Sequence, residues 1–325
     1  MRRAAATIVA CLSLALPAVA LGQAPAAPAP PPAPGAVSLT LERVHRVGRD
    51  DVVLRGDRVR VRGVVAPFVP GQAVVVRLYR GRTKLAAKAV KIKPIRGGTK
   101  GGFVASLKAE RRGRLTVRAS HRATAAQESM VAKARHVLVV SPHAAAGARG
   151  PVVRLLQRRL AGLHYAVSSS GLFDAATARA VVAYRKVTGM SRVALASATL
   201  VRALLRGRGT FKPRYPGHGK HVEVDLSRQV LALVERGRVY RIFGVSSGKA
   251  STPTVLGRFH VYSKTYGTNA KGMVHTSYFI GGYAVHGYAS VPTFPASHGC
   301  VRVPIPNALF IFGWLRVGDR VDIYP

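Results

Sequence analysis

One cysteine of this chain sits among residues able to activate it. The sequence runs Val285-His286-Gly287 and, a short way on, Ser297-His298-Gly299-Cys300-Val301-Arg302. A thiol is a useful nucleophile only as thiolate, and its ordinary pKa of about 8.5 leaves little of that form at neutral pH. A nearby imidazole takes the proton and stabilises the resulting ion pair. His286 and His298 both meet that need on spacing, and the chemistry requires only one of them. Backbone N–H groups around Gly299 and Cys300 would stabilise the oxyanion of a tetrahedral intermediate, and Gly299 lets a carbonyl approach closely. In a strand, Arg302 would project to the same side as Cys300 and offer a fork to a carboxylate. Other roles compete. Two histidines and a thiolate are zinc ligands, with no obvious fourth Cys or His to close the site. Either histidine is otherwise an ordinary structural residue, and Arg302 an ion-pair partner.

The surrounding pattern predicts a β-rich domain over 220–325. Residues 221–226 alternate, 229–234 follow a turn at Ser227-Arg228, and Arg236-Gly237 leads to 239–245. Residues 257–261 and 320–324 complete the strands, with one helix over 307–315 started by Asn307 as its cap. Before it, residues 147–207 read as a small three-helix bundle. Pro151 suits a first helical position, and Val152, Leu155, Leu156, Leu160 and Leu163 recur at helical spacing. Asp174 caps a second helix over 175–188 that Gly189 stops, and Ser197 caps a third. Residues 37–141 show short alternating runs, such as Val59-Arg60-Val61-Arg62, divided by turns, and read as an Ig-like β-sandwich. The glycine cluster 97–102 lacks the ending of a phosphate loop and reads as a flexible hairpin tip. The expected class is multidomain and mainly β.

Composition narrows the setting. Against 51 Lys+Arg stand 12 Asp+Glu, a formal net charge of +39, so the partners are polyanions. Met1-Arg2-Arg3, an apolar run over 4–16 and Ala18-Val19-Ala20 read as a secretory signal peptide over 1–24, too short for a permanent membrane span. Residues 25–36, nearly all Pro and Ala, form an extended linker. Removing the signal removes Cys11 and leaves Cys300 as the sole thiol of an exported chain. Export counts against nucleic acid and favours anionic cell-wall polymers.

Two resemblances follow from these residues. Leu155-Leu156-Gln157, Leu160, Leu163-His164-Tyr165, Gly171-Leu172-Phe173-Asp174, Thr177 and Ala180-Val181 resemble the peptidoglycan-binding domain 1 family. His164 replaces the usual glycine there, and Tyr184-Arg185 the usual Phe-Gln. His286-Gly287 with Ser297-His298-Gly299-Cys300-Val301-Arg302 resembles the YkuD-like L,D-transpeptidase catalytic domain, as do Thr252-Pro253, Gly257-Arg258-Phe259 and the closing 317–321 segment. Asn307 stands where that family often has Asp.

That resemblance implies a secreted thiol acyltransferase of peptidoglycan biosynthesis, acting on stem peptides and glycan without metal or cofactor. Cys300 would be the nucleophile and His286 the proton donor and acceptor, oriented by the carbonyl of Gly287. Gly299 would serve the oxyanion hole, and Ser297, His298 and Arg302 the substrate. The reaction would release D-alanine from a stem tetrapeptide and form 3→3 crosslinks. The alternatives are a cysteine-dependent wall-peptide hydrolase and a non-catalytic wall-binding protein. Cysteine hydrolases of the NlpC/P60 type place Cys before His, the reverse of the order here.

Overall fold

The structure, a computed structural model, describes Met1, residues 30–95 and residues 97–325. The expected signal peptide with Cys11, and the first part of the Pro/Ala stretch, lie outside the described residues. The end of that stretch is already part of the fold. Ala33 bridges Gln127, and β1 begins at Ala36.

The first segment is all strand: β1 (Ala36–Glu42), β2 (His45–Val47), β3 (Asp50–Leu54), β4 (Arg58–Ala66), β5 (Ala73–Arg80), β6 (Thr83–Lys91), β7 (Lys93–Ile95), β8 (Lys100–Lys108), β9 (Gly113–His121), β10 (Met130–Val131) and β11 (Arg135–Val140). They form a sheet in the order β1-β4-β8-β7 and a second in the order β2-β3-β11-β9-β5-β6, with β10 beside β9. The alternation has the expected cause. Val59, Val61, Phe103 and Ala105 of one sheet meet Val74, Val76, Leu78, Leu115 and Val137 of the other in a single core. Only residues 97–99 of the glycine cluster form a turn; Gly101 and Gly102 lie within β8. Lys84, Lys88 and Lys91 stand exposed on the edge strand β6, where charge discourages pairing with another chain.

Helices follow: α1 (Pro151–Gly162), α2 (Ala175–Val187) and α3 (Ala198–Leu205). The Asp174 carboxylate accepts from the Thr177 N–H at 2.8 Å and the Ser197 hydroxyl from the Leu200 N–H at 3.3 Å, so both expected caps form. His164 has φ +68°, the left-handed region that explains why glycine is usual at that position. Arg185 is buried against the carbonyls of Ser191 and Leu195, and Tyr184 is wholly enclosed. The Tyr184-Arg185 pair is therefore a structural plug, whereas His164 is exposed.

The last segment holds β12 (His221–Asp225), β13 (Val230–Glu235), β14 (Arg238–Gly244), β15 (Gly257–His260), β16 (Ser263–Thr268), β17 (Val274–Ile280), β18 (Tyr283–Tyr288), β19 (Val301–Pro304), α4 (Ile305–Trp314) and β20 (Arg320–Tyr324). One sheet runs β14-β13-β12-β20-β15 and a second β16-β17-β18-β19. Helix α4 begins two residues earlier than expected. It opens after Pro304 with no side-chain cap, so Asn307 is not its cap.

The helices do not form a bundle with a core of its own. Leu156, Leu160, Phe173, Val181, Tyr184 and Leu200 share one core with Val230, Ala232, Val234 and Ile242, and α2 lies against β13 and β14. The opposite face of β13, Leu231 and Leu233, joins Val285, Val301, Val303, Ala308 and Ile311 in another core. Because β13 is covered on both faces, its sequence is a continuous apolar run rather than an alternation.

A buried polar knot ties the preceding loop to this sheet. The Glu223 carboxylate, wholly enclosed, accepts from the N–H groups of Arg214 and Tyr215 at 2.8 and 2.7 Å, from the Tyr324 hydroxyl at 2.8 Å and from His221 at 3.2 Å. Burial alone would raise its pKa, but these donors outweigh it and hold the carboxyl below its ordinary value. A depressed folded pKa contributes stability above the unfolded carboxyl pKa of about 4.3, and that stability is lost as pH falls through the folded value. Glu223→Gln should therefore cost about 3 kcal/mol at pH 7 in urea titrations, with the difference from wild type shrinking towards pH 3.

Candidate active site

The strands that carry the candidate residues are neighbours. β18 and β19 pair in parallel, with Val285 opposite Val301, His286 opposite Arg302 and Gly287 opposite Val303. Val285, Val301 and Val303 point into the core. Alternation along a strand then sends His286 and Arg302 to the other face, and Cys300 precedes Arg302 by two positions on that side. His286, Cys300, Arg302, Ser297 and His298 accordingly line one cleft of about 450 Å³, with Asn269, Lys271, Met273, Tyr278, Gly282 and Tyr288.

The tautomer of His286 is set by the backbone. Its Nδ1 lies 2.9 Å from the carbonyl of Gly287, which can only accept, so Nδ1 carries the proton and Nε2 is left as the base. The ring is 3 % exposed. Burial, helped by the charge of Arg302 and opposed by the Gly287 hydrogen bond, pulls its pKa below the ordinary value. Burial likewise pushes the Cys300 thiol up, despite the Ala284 N–H and the charges of Arg302 and Lys271. Both shifts favour a neutral thiol beside a neutral imidazole. This corrects the expectation of a standing thiolate–imidazolium pair, because the enclosed site solvates charge poorly. The Sγ–H points at the carbonyl of Gly282, 3.6 Å away.

Two of the expected substrate groups are otherwise engaged. Ser297 is 1 % exposed; its hydroxyl donates to the Cys300 carbonyl at 2.6 Å and accepts from the Gly299 N–H at 3.1 Å. The Ser297 hydroxyl thus staples the loop, and the Gly299 N–H is engaged within it. Glycine is needed at 299 for another reason. Its φ is +114°, and a Cβ there would stand 1.9 Å from the Tyr283 ring. Among the described residues the N–H of Cys300 itself meets no protein acceptor.

The remaining groups are basic side chains. Arg302 stacks over the Tyr288 ring, 4.2 Å from its centroid, and has no carboxylate partner among the described residues. His298 is exposed, with Nε2 3.4 Å from the Lys249 ammonium. Among the described residues no Asp or Glu lines the cleft. Among the described residues no group of three His, Cys, Asp or Glu side chains is arranged to hold a metal ion.

Sequence reasoning named Thr252 only within a resemblance and missed Thr254, yet both hold the loop that ends at Cys300. Thr254 donates to the carbonyl of Gly299 at 2.7 Å and Thr252 to that of Ser297 at 3.2 Å. It also missed the β16–β17 hairpin, whose Asn269 side chain accepts from the N–H groups of Lys271 and Met273 at 3.0 Å and shapes the cleft wall. The Asn-Ala-Lys-Gly run at 269–272 is a turn signal that could have found it.

A buried imidazole and a half-buried thiol thus share one cleft with Arg302 and Lys271. Residues 219–323 match the family described as the L,D-transpeptidase catalytic domain, YkuD. The chain is similar to the solved L,D-transpeptidase (residues 123–326) of Xylanimonas cellulosilytica, with 38% identity, 57% of this chain and 98% of that one covered, and a TM-score of 0.52. That alignment takes in more of this chain than residues 219–323 occupy. L,D-transpeptidase 1 of Mycobacterium tuberculosis is 29% identical over 125 residues, which are 30% of this chain and 48% of the relative. The chain thus spans about half the length of the curated relatives it matches. The chain belongs to the L,D-transpeptidase family, with its YkuD-type catalytic domain at residues 219–323.

The neutral pair has a measurable consequence. Alkylation of Cys300 by iodoacetamide, followed by mass spectrometry of its peptide, should keep accelerating beyond the ordinary cysteine pKa of about 8.5. A rate already flat below pH 7 would show a standing ion pair instead. Ser297→Ala should leave the fold intact yet release the loop, lowering turnover about tenfold.

Proposed function

We propose that this protein is an exported peptidoglycan L,D-transpeptidase that forms 3→3 crosslinks by acyl transfer through Cys300. The observation that carries the reading is the placement of Cys300 and His286 in one cleft, with the His286 tautomer set by the Gly287 carbonyl.

In the first half-reaction the Cys300 sulfur attacks the carbonyl of the third residue of a donor stem tetrapeptide, while His286 Nε2 takes the thiol proton. Deprotonation accompanies attack, because neither group is charged at rest. The oxyanion is met by the N–H of Cys300. The C–N bond to the terminal D-alanine breaks, and His286 returns its proton to that amine. In the second half-reaction an amine of a neighbouring stem attacks the thioester, with His286 again the base, and the thiol is regenerated. Unpaired Arg302, with Lys271 and the Lys249–His298 pair, gives the cleft the positive charge that suits stem-peptide carboxylates. The exposed cations of the N-terminal strands support retention on anionic wall polymers, and the helical segment contact with glycan.

Purified protein given disaccharide-tetrapeptide should release D-alanine and yield dimers joined between third residues, read by liquid chromatography and mass spectrometry. Cys300→Ala should abolish both with the fold intact, and undiminished turnover in that variant would end the assignment. His286→Gln should slow acylation by about 10²–10⁴-fold. A carbapenem should add its mass to the Cys300 peptide alone.

A further inference from the structure

Buried hydrogen bonds that the proposed chemistry does not use join the helical segment to the nucleophile loop. Lys186, in the last turn of α2, is 5 % exposed. Its ammonium donates to the carbonyls of Gln229 at 3.0 Å and Val245 at 2.7 Å. Burial, with the charge of Arg192, pulls its pKa down to about 7. An apolar side chain of similar length would fill the space without that desolvation, so what the ammonium adds is the position of the two carbonyls.

The connection continues without a break. Gln229 has φ +59°, and its side-chain amide donates to the Ser247 hydroxyl at 2.6 Å while its Oε1 accepts from the Ser247 N–H at 2.9 Å. The Ser247 carbonyl accepts from the N–H groups of Ala296 and Ser297 at 2.8 and 2.9 Å. Ser297 in turn holds the backbone of Cys300 and Gly299. A second tether runs beside it, in which the Arg192 guanidinium donates to the carbonyls of Thr293 at 2.8 Å and Ser227 at 3.0 Å. Thr293 lies in the same loop, residues 289–300, that ends at Cys300. Both tethers leave the helical segment and both converge on residues 293–300.

We propose that Lys186 and Arg192 are positioning residues for Cys300, so that the helical segment is part of the machinery that orients the nucleophile. The proposal rests on the reading of Cys300 as that nucleophile. The tether carries the loop's position and not its charge. Substitution therefore lowers the rate of the chemical step while binding of the stem peptide, made by the cleft wall, is retained. A displacement of the sulfur by about 1 Å is enough to cost up to about 10²-fold in rate.

The test compares full-length wild type, Lys186→Met and Arg192→Gln. Hydrogen exchange read by mass spectrometry should quicken about tenfold or more in peptides spanning 291–302, with β5 and β9 unchanged. D-alanine release should lose about tenfold in kcat with KM within about twofold of wild type. A merely structural lysine would lower Tm and leave both the local exchange and the kcat of the folded fraction unmoved. If Lys186→Met does not fold, the half-buried Arg192→Gln carries the same measurements. Unchanged loop exchange in the folded variants overturns the proposal whatever the turnover. Absence of turnover in wild type overturns the functional reading alone, since exchange still tests the tether.

Discussion

The site depends on the parallel pairing of β18 with β19. A slip of one residue would turn every side chain of one strand to the other face, sending His286 into the core and a valine into the cleft. The apolar set Val285, Val301 and Val303 holds the register, because exposing it would cost about 2 kcal/mol for each side chain. Core packing on one face thereby places the chemistry on the other. Parallel strands cannot be joined by a tight hairpin, so a long connection between His286 and Cys300 is a geometric necessity. Residues 289–300 supply it, and they carry the nucleophile at their end.

The same enclosure that orders the pair keeps it neutral. Burial, with the charge of Arg302, pulls His286 down against the Gly287 hydrogen bond, and burial pushes Cys300 up against the Ala284 N–H and the cations nearby. Such a thiol is a weak nucleophile at rest, because little of it is thiolate. A neutral resting state also limits oxidation of the lone cysteine of the described residues, since oxidation follows thiolate character and exposure. The positive charge around the cleft does not ionise the resting thiol. It stays unneutralised, because among the described residues no Asp or Glu lines the cleft.

The helical segment and the catalytic sheet share one core and one buried polar connection. β13 is the common wall: one face covers the helices and the other the core under the site. The segment that resembles a separable binding module is thus physically continuous with the enzyme. A disturbance at α2 reaches the nucleophile loop through four hydrogen-bonded residues instead of a flexible linker.

The chemistry-bearing residues and most strands were legible locally. A thiol beside histidine and glycine, the caps at Asp174 and Ser197, and the alternation in β4 and β12 are short-range patterns. The sequence by itself determined those, because residue type and spacing dictate period, capping and the available reactivity. The strand carrying His286 and the β16–β17 hairpin escaped notice, as their polar and aromatic residues follow no clean period. Tertiary structure alone decided that Ser297 and the Gly299 N–H are spent within the loop, that the thiol rests neutral, and that Lys186 reaches across to the site. Each depends on which groups burial brings together and what solvent it excludes, and neither is written in the spacing of neighbours along the chain.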